Sequence, residues 1–148
     1  MPTINQILLF GGLTVLTNLP TSTCKLFNPL TNKFTPLHQK LTVDRCRHSS
    51  IYLPSLNRVL IAGGESTESI SLSRFFGPAL PSTEFFDPVL RTLTSAAGMT
   101  SWRALFSLTL IPPSDHVLAC GGNYLEMWSF STWASVWQTT TPCEFFIP

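Results

Sequence analysis

Val59-Leu60-Ile61-Ala62-Gly63-Gly64 is the stretch whose reading decides the fold. Four apolar residues are stopped by two glycines. A run this short is poor material for a helix and reads as a buried strand entering a tight turn. The pattern recurs at Ile7-Leu8-Leu9-Phe10-Gly11-Gly12 and at Val117-Leu118-Ala119-Cys120-Gly121-Gly122. Three copies in one chain point to tandem structural units.

Other elements recur around these runs. Lys25-Leu26-Phe27-Asn28-Pro29 follows the first Gly-Gly, and Glu84-Phe85-Phe86-Asp87-Pro88 follows the second. Each reads as a short strand ended by Asx-Pro, because proline removes a ladder donor and Asx side chains favour turns. Glu126-Met127-Trp128-Ser129-Phe130 is the degenerate counterpart expected in the third copy. Five residues past each proline stands an apolar residue, Phe34 or Leu93, with the third counterpart placed at Val136 or Trp137.

Upstream, Leu41-Thr42-Val43-Asp44-Arg45 matches Met99-Thr100-Ser101-Trp102-Arg103. Arg45 precedes Gly63 by 18 residues, and Arg103 precedes Gly121 by the same 18. Pro29 and Pro88 are 59 residues apart, and Arg45 and Arg103 are 58 apart. The first Gly-Gly lies only 52 residues before the second, because its following loop is shorter by seven. Fixed offsets with length changes confined to one loop are what tandem units produce.

This set of features resembles the kelch repeat, a unit of about 50 residues that forms one blade of a β-propeller. The diglycine, the Glu84-Phe85-Phe86-Asp87-Pro88 element, the apolar Phe34 and Leu93, and the Met99-to-Arg103 lead carry the resemblance over about residues 5–138. It implies an all-β fold, a partial kelch-type β-propeller of antiparallel four-stranded blades that does not close. Strand one would follow Arg45 or Arg103, strand two would end at Gly-Gly, strand three would be the Glu-Phe-Phe-Asp-Pro element, and strand four would run through Phe34, Leu93 or Val136.

The expected organisation is an incomplete blade over 5–40, lacking strand one, a second blade over 41–98, a degenerate third over 99–140, and a tail over 141–148. The structural repeat positions are Gly11, Gly12, Gly63, Gly64, Gly121, Gly122, Arg45, Arg103, Glu84, Asp87, Pro88 and Pro29. Arg45 and Arg103 share one register position, which marks them as hydrogen-bond donors between blades rather than a basic binding rim with Arg47 and His48. The third unit has Phe106 where the second has His48. The long loop Glu65–Thr83 carries Ile70, Leu72, Phe75 and Phe76, which suit packing over a blade edge.

Composition narrows the function. Lys and Arg number 9 against 8 Asp and Glu, for a net charge of +1, so no basic stripe exists to neutralise phosphates. Neither nucleic acid nor a membrane is expected as a partner. Cys24, Cys46, Cys120 and Cys143 show no Cys-x-x-Cys spacing, which argues against zinc. Four cysteines allow three disulfide connectivities, none favoured, and Cys120 in its apolar run reads as a small buried hydrophobe. His38, His48 and His116 fall at unrelated repeat positions, and Trp102, Trp128, Trp133 and Trp137 read as packing aromatics. The stretch before Ile7 has no Lys or Arg, no small-residue cleavage site follows the apolar run, and no Asn-x-Ser/Thr acceptor occurs, so a cytoplasmic location is expected.

No phosphate loop, nucleophile elbow or carboxylate pair is present, and Gly-Gly is structural rather than a nucleotide cradle. The expectation is a non-catalytic protein–protein interaction module without a cofactor, a fragment of a larger propeller. Two alternatives are a fragment of a galactose-oxidase-like carbohydrate oxidase, suggested by Tyr52 with Cys24 or Cys46, and a truncated product with no independent function. At 58–59 residues per unit the 148 residues hold about two and a half blades, whereas closed propellers have about four to eight. Open blade edges would invite self-association.

Overall fold

The glycine pairs end strands because both residues of each pair take a positive φ, 62° and 94° at Gly11 and Gly12, 63° and 97° at Gly63 and Gly64, and 70° and 100° at Gly121 and Gly122. Residues with a Cβ rarely tolerate that backbone. The computed structural model describes residues 6–66, 79–126, 136–139 and 142–148. Its strands are β1 (Ile7–Phe10), β2 (Cys24–Asn28), β3 (Lys33–Pro36), β4 (Ser49–Leu53), β5 (Arg58–Ala62), β6 (Thr83–Asp87), β7 (Thr92–Ala96), β8 (Ser107–Ile111), β9 (His116–Cys120), β10 (Asn123–Glu126), β11 (Val136–Thr139) and β12 (Glu144–Phe146). No helix occurs among the described residues, so none there is long and apolar enough to cross a membrane.

The strands form separate antiparallel sheets, none closed. The middle sheet has four strands in the order β4-β5-β6-β7. The first sheet is β1-β2-β3, and the third is β12-β9-β8. β10 and β11 form a two-stranded ladder of their own. Strand two ends at Gly-Gly in all three sheets, and strand one starts four residues past Arg45 and Arg103, at Ser49 and Ser107. At the far end of strand three, Asn28 Oδ1 accepts from the amides of Leu30 and Thr31, and Asp87 Oδ1 accepts from Val89 and Leu90. The chain turns there through Asn32 and Arg91, both at positive φ. These Asx turns are why Pro29 and Pro88 end their strands.

The third sheet differs from the sequence reading. Its third strand is Glu144–Phe146, paired with β9 with Glu144 opposite Ala119, as Glu84 stands opposite Ile61 in the middle sheet. Residues 141–148 are therefore not a tail: Glu144-Phe145-Phe146-Ile147-Pro148 is the copy of Glu84-Phe85-Phe86-Asp87-Pro88. Val136 and Trp137 belong to β11, which pairs with β10 inside the connection between β9 and β12, and do not form a fourth strand. Met127–Phe130 lie outside the described residues, as do Ile70, Leu72, Phe75 and Phe76. The same register sets Cys120 opposite Cys143, and the two form a disulfide. Cys120 is thus not a free buried thiol, whereas Cys24 and Cys46 are free and buried.

Side chains alternate across each strand, so the middle sheet has two apolar faces. Ile61 and Phe86, with Val59 and Leu93, pack against Leu8, Phe10 and Cys24 of the first sheet. Leu60, Phe85 and Leu53, with Ile51, pack against Val117, Leu108 and Leu110 of the third. Leu53, Leu60, Ile61 and Ala62 are fully buried. Each large side chain so buried contributes about 1.5–3 kcal/mol. β4 lies beside β8, so the leading strands of the middle and third sheets are neighbours.

The glycines also leave room for backbone. A Cβ at Gly64 would lie 2.5 Å from the Cys46 carbonyl oxygen, whereas one at Gly121 would meet nothing within 4 Å. Gly64→Ala should therefore cost about 2 kcal/mol or more, from positive φ and collision together, and Gly121→Ala about 1 kcal/mol, from φ alone. Urea midpoints of the two variants check the ranking.

Candidate functional site

The repeated polar residues assemble into two clamps. Arg45 is wholly buried, and its backbone and side chain serve different sheets. Its amide donates to Thr21 O and its carbonyl accepts from Gly12 N at 2.8 Å, both on the first-sheet side. Its guanidinium reaches the middle sheet, donating to Gly63 O at 2.9 Å, Ser82 O at 3.0 Å, Ser82 Oγ at 3.1 Å and Glu84 Oε1 at 2.8 Å. Glu84 Oε2 accepts from Thr42 N. Burial pulls the Arg45 pKa down, and the adjacent Glu84 opposes this.

Arg103 repeats the arrangement one unit later. Its carbonyl accepts from Gly64 N at 2.8 Å, and its side chain donates to Gly121 O and Pro142 O, both at 2.7 Å. Glu144 lies 3.7 Å from the guanidinium and accepts from the amides of Thr100 and Ser101. Burial would raise the Glu144 pKa, but these bonds and Arg103 outweigh it and lower it. The side-chain donors thus act within each arginine's own sheet. The bond between sheets is made by the backbone, which refines the sequence expectation.

Beside the clamps, short backbone bridges from Thr21 to Arg45 and from Leu80 to Arg103 link successive units, while Cys46 with Glu65, Glu65 with Ala79, and Ala104 with Asn123 bridge within one unit. Glu65 is buried and accepts from Arg47 Nη1 at 3.0 and 3.2 Å. Burial raises the Glu65 pKa against the pull of Arg47. His48 packs against the Phe10 ring, with centroids 5.1 Å apart, and its Nδ1 is buried without a hydrogen-bond partner. Burial, helped by Arg45, lowers its pKa to about 4. It is therefore a neutral packing residue at neutral pH, and Phe106 holds the same place against Gly63 and Gly122 in the next unit.

All of this lies at one rim. The connections from strand two to strand three begin and end there, from Gly11 to Thr23, from Gly63 to Ser82 and from Gly121 to Cys143, beside the leads into strand one. The described part of this rim exposes apolar side chains. Val15 is 100% exposed and Leu16 98%, flanked by Leu13 and Leu19, in a loop closed by the bond from Thr14 N to Leu19 O. Leu105, in the lead to β8, is also exposed. The opposite rim carries the Asx turns with exposed Leu30, Val89 and Leu90.

No group of three metal-capable side chains occurs among the described residues. Tyr52 donates to Asn57 Oδ1 within its own hairpin. Trp102 is half exposed and outside the core clusters, contrary to the packing role expected of it, and Trp128 and Trp133 lie outside the described residues. Sequence reasoning missed Glu144 as the Arg103 partner, the Glu65–Arg47 pair and the exposed Leu13–Leu19 loop. Only the first carried a clear signal, the second Glu-Phe-Phe. No protein-family model matches the chain, and no curated protein does either.

Two measurements check the clamp and its packing neighbour. Arg45→Met strands buried Glu84 and should cost about 3–5 kcal/mol. Arg103→Met should cost clearly less, because Glu144 is 12% exposed and keeps its amide donors. Denaturant unfolding ranks the pair. For His48, the unfolded chain takes up a proton below pH 6.5 that the folded chain refuses until about pH 4. Stability from this group is complete above pH 6.5 and is lost as pH falls toward 4, at up to about 1.4 kcal/mol per pH unit. His48→Phe should remove that part of the slope and stabilise the protein at pH 5, as read by thermal unfolding across the window.

Proposed function

We propose that the chain is a three-blade arc of a kelch-type β-propeller, part of a larger propeller, that works as a non-catalytic protein–protein interaction module. Tandem sheets stacked face to face, each with a diglycine exit and two of them with an arginine clamp, support the architecture. One observation carries the function: in all three units the longest connection starts and ends at the same rim. In repeat proteins such insertions gather on one face, often the binding face. Kelch-type propellers commonly present such loops to protein partners.

The exposed Leu13–Leu19 loop fits an apolar groove on a partner protein. It is built to stay exposed, since the Thr14–Leu19 backbone bond and the Thr14 hydroxyl hold its ends together while Val15 and Leu16 project. Interface anchors of this kind work by desolvation, so a charge placed on them opposes binding directly.

Val15→Asp with Leu16→Asp should abolish co-purification of partners that the wild-type chain retains. Leu30→Asp with Val89→Asp, at the opposite rim, should leave them bound. Quantitative affinity capture of all three chains checks this. Equal retention by both double variants would overturn the rim as the binding face.

A further inference from the structure

The first and third sheets each present one face that the described residues leave open. On the first sheet this face carries Ile7, Leu9, Phe27 and Phe34. Phe27 and Phe34 stack, with ring centroids 4.7 Å apart. Leu9 is 44% exposed, whereas Ile61, at the same repeat position, is 0% exposed against the neighbouring sheet. On the third sheet the open face carries Ile111, Leu118 and Phe145. Phe145 is 69% exposed, whereas its counterpart Phe85 is 8% exposed.

These two faces are opposite halves of one joint. Within the chain, the face bearing Leu60 and Phe85 meets the next sheet's face bearing Val117 and Leu108. The open face of the third sheet is of the first kind, and that of the first sheet is of the second kind. Every copy of the chain therefore carries both halves of the joint it already uses internally. A contact of one kind of face with the other is heterologous, and it closes into a ring when the rotation fits.

We propose that two copies of this chain associate head to tail, with the third sheet of each on the first sheet of the other. The inference rests on the stacked reading of the three sheets under the proposed function. The larger propeller of which the chain is part is then a ring of two copies, whose six sheets fall within the range of about four to eight found in closed propellers. Lys25 stands where Glu84 and Glu144 meet their arginines, so the first sheet carries no arginine clamp and its side of this joint is apolar area. The association is consequently reversible and concentration-dependent.

Light scattering and sedimentation of the wild-type chain, of Phe34→Asp and of Phe145→Asp test it. The wild type should reach twice the 16.4 kDa chain mass. Each variant alone should weaken association by about thirtyfold or more. An equimolar mixture should regain a dimer, because one undamaged third-sheet face then meets one undamaged first-sheet face. Both phenylalanines are exposed, so both variants should unfold like the wild type. A wild-type chain that stays monomeric yet unfolds cooperatively would overturn the ring alone, as would a mixture that fails to complement. Loss of folding in either variant would overturn the stacked reading itself.

Discussion

The two-sided bonding of Arg45 is the constraint on which the rest of the arrangement depends. Its backbone belongs to the joint with the first sheet and its side chain to the middle sheet. A fully buried guanidinium is tolerable only if most of its donors are met, and here two carbonyls, a hydroxyl and a carboxylate meet the Nη donors while Nε is buried without a partner. Lysine could not do this, because a single ammonium cannot span Gly63 O, Ser82 and Glu84 as a planar fork does. The diglycine is the other half of the device. Gly12 and Gly64 donate to the Arg45 and Arg103 carbonyls, and a Cβ at Gly63 would lie 2.5 Å from Arg103 O. The repeat therefore conserves a contact made of small backbone on one side and a large cation on the other.

Much of this was legible because it depends on residues that have few substitutes. Positive φ at two successive positions selects glycine, and Asx-Pro at a strand end selects a turn. The spacing of 18 residues from arginine to glycine reflects one hairpin, β4–β5 or β8–β9, whose length the register fixes. The third unit was misread because its connection between strands two and three contains a hairpin of its own. β10 follows Gly122 directly and imitates the expected strand, while the true counterpart waits until Glu144. Asp87 is Ile147 in that copy, so the Asx turn signal was missing although Glu-Phe-Phe and the proline remained. The disulfide was hidden for the same reason, since Cys120 and Cys143 become neighbours only once β12 is laid beside β9.

The rim was harder to read, because exposure is not a sequence property. Leu13, Val15, Leu16 and Leu19 look in sequence like a continuation of the apolar strand before Gly11. What turns them outward is the diglycine exit together with the Thr14–Leu19 bonds, which close the loop before it can return to the sheet. His48 shows the converse. It looked like a polar candidate, yet its site against Phe10 and the diglycine is filled by Phe106 in the next unit. Equivalent positions occupied by His and Phe imply that the fold uses ring shape there and makes no use of the proton.

Stacked units of this kind derive stability from nearest neighbours, since a sheet with two apolar faces cannot bury both by itself. The middle sheet has four strands and a neighbour on each side, and its strands β5 and β6 hold most of that sheet's own buried side chains. The first and third sheets have three strands and one internal neighbour each. Local opening should therefore be cheapest at β3 and at β12, which are edge strands on sheets packed on one face only. The Cys120–Cys143 bridge ties β12 to β9 at that weak place, and the first sheet has no such tie among the described residues. Covering the outer faces would add interface energy to the two sheets that have least of it without adding a strand to either. That asymmetry, rather than any edge hydrogen bonding, is the physical reason behind the proposed head-to-tail association.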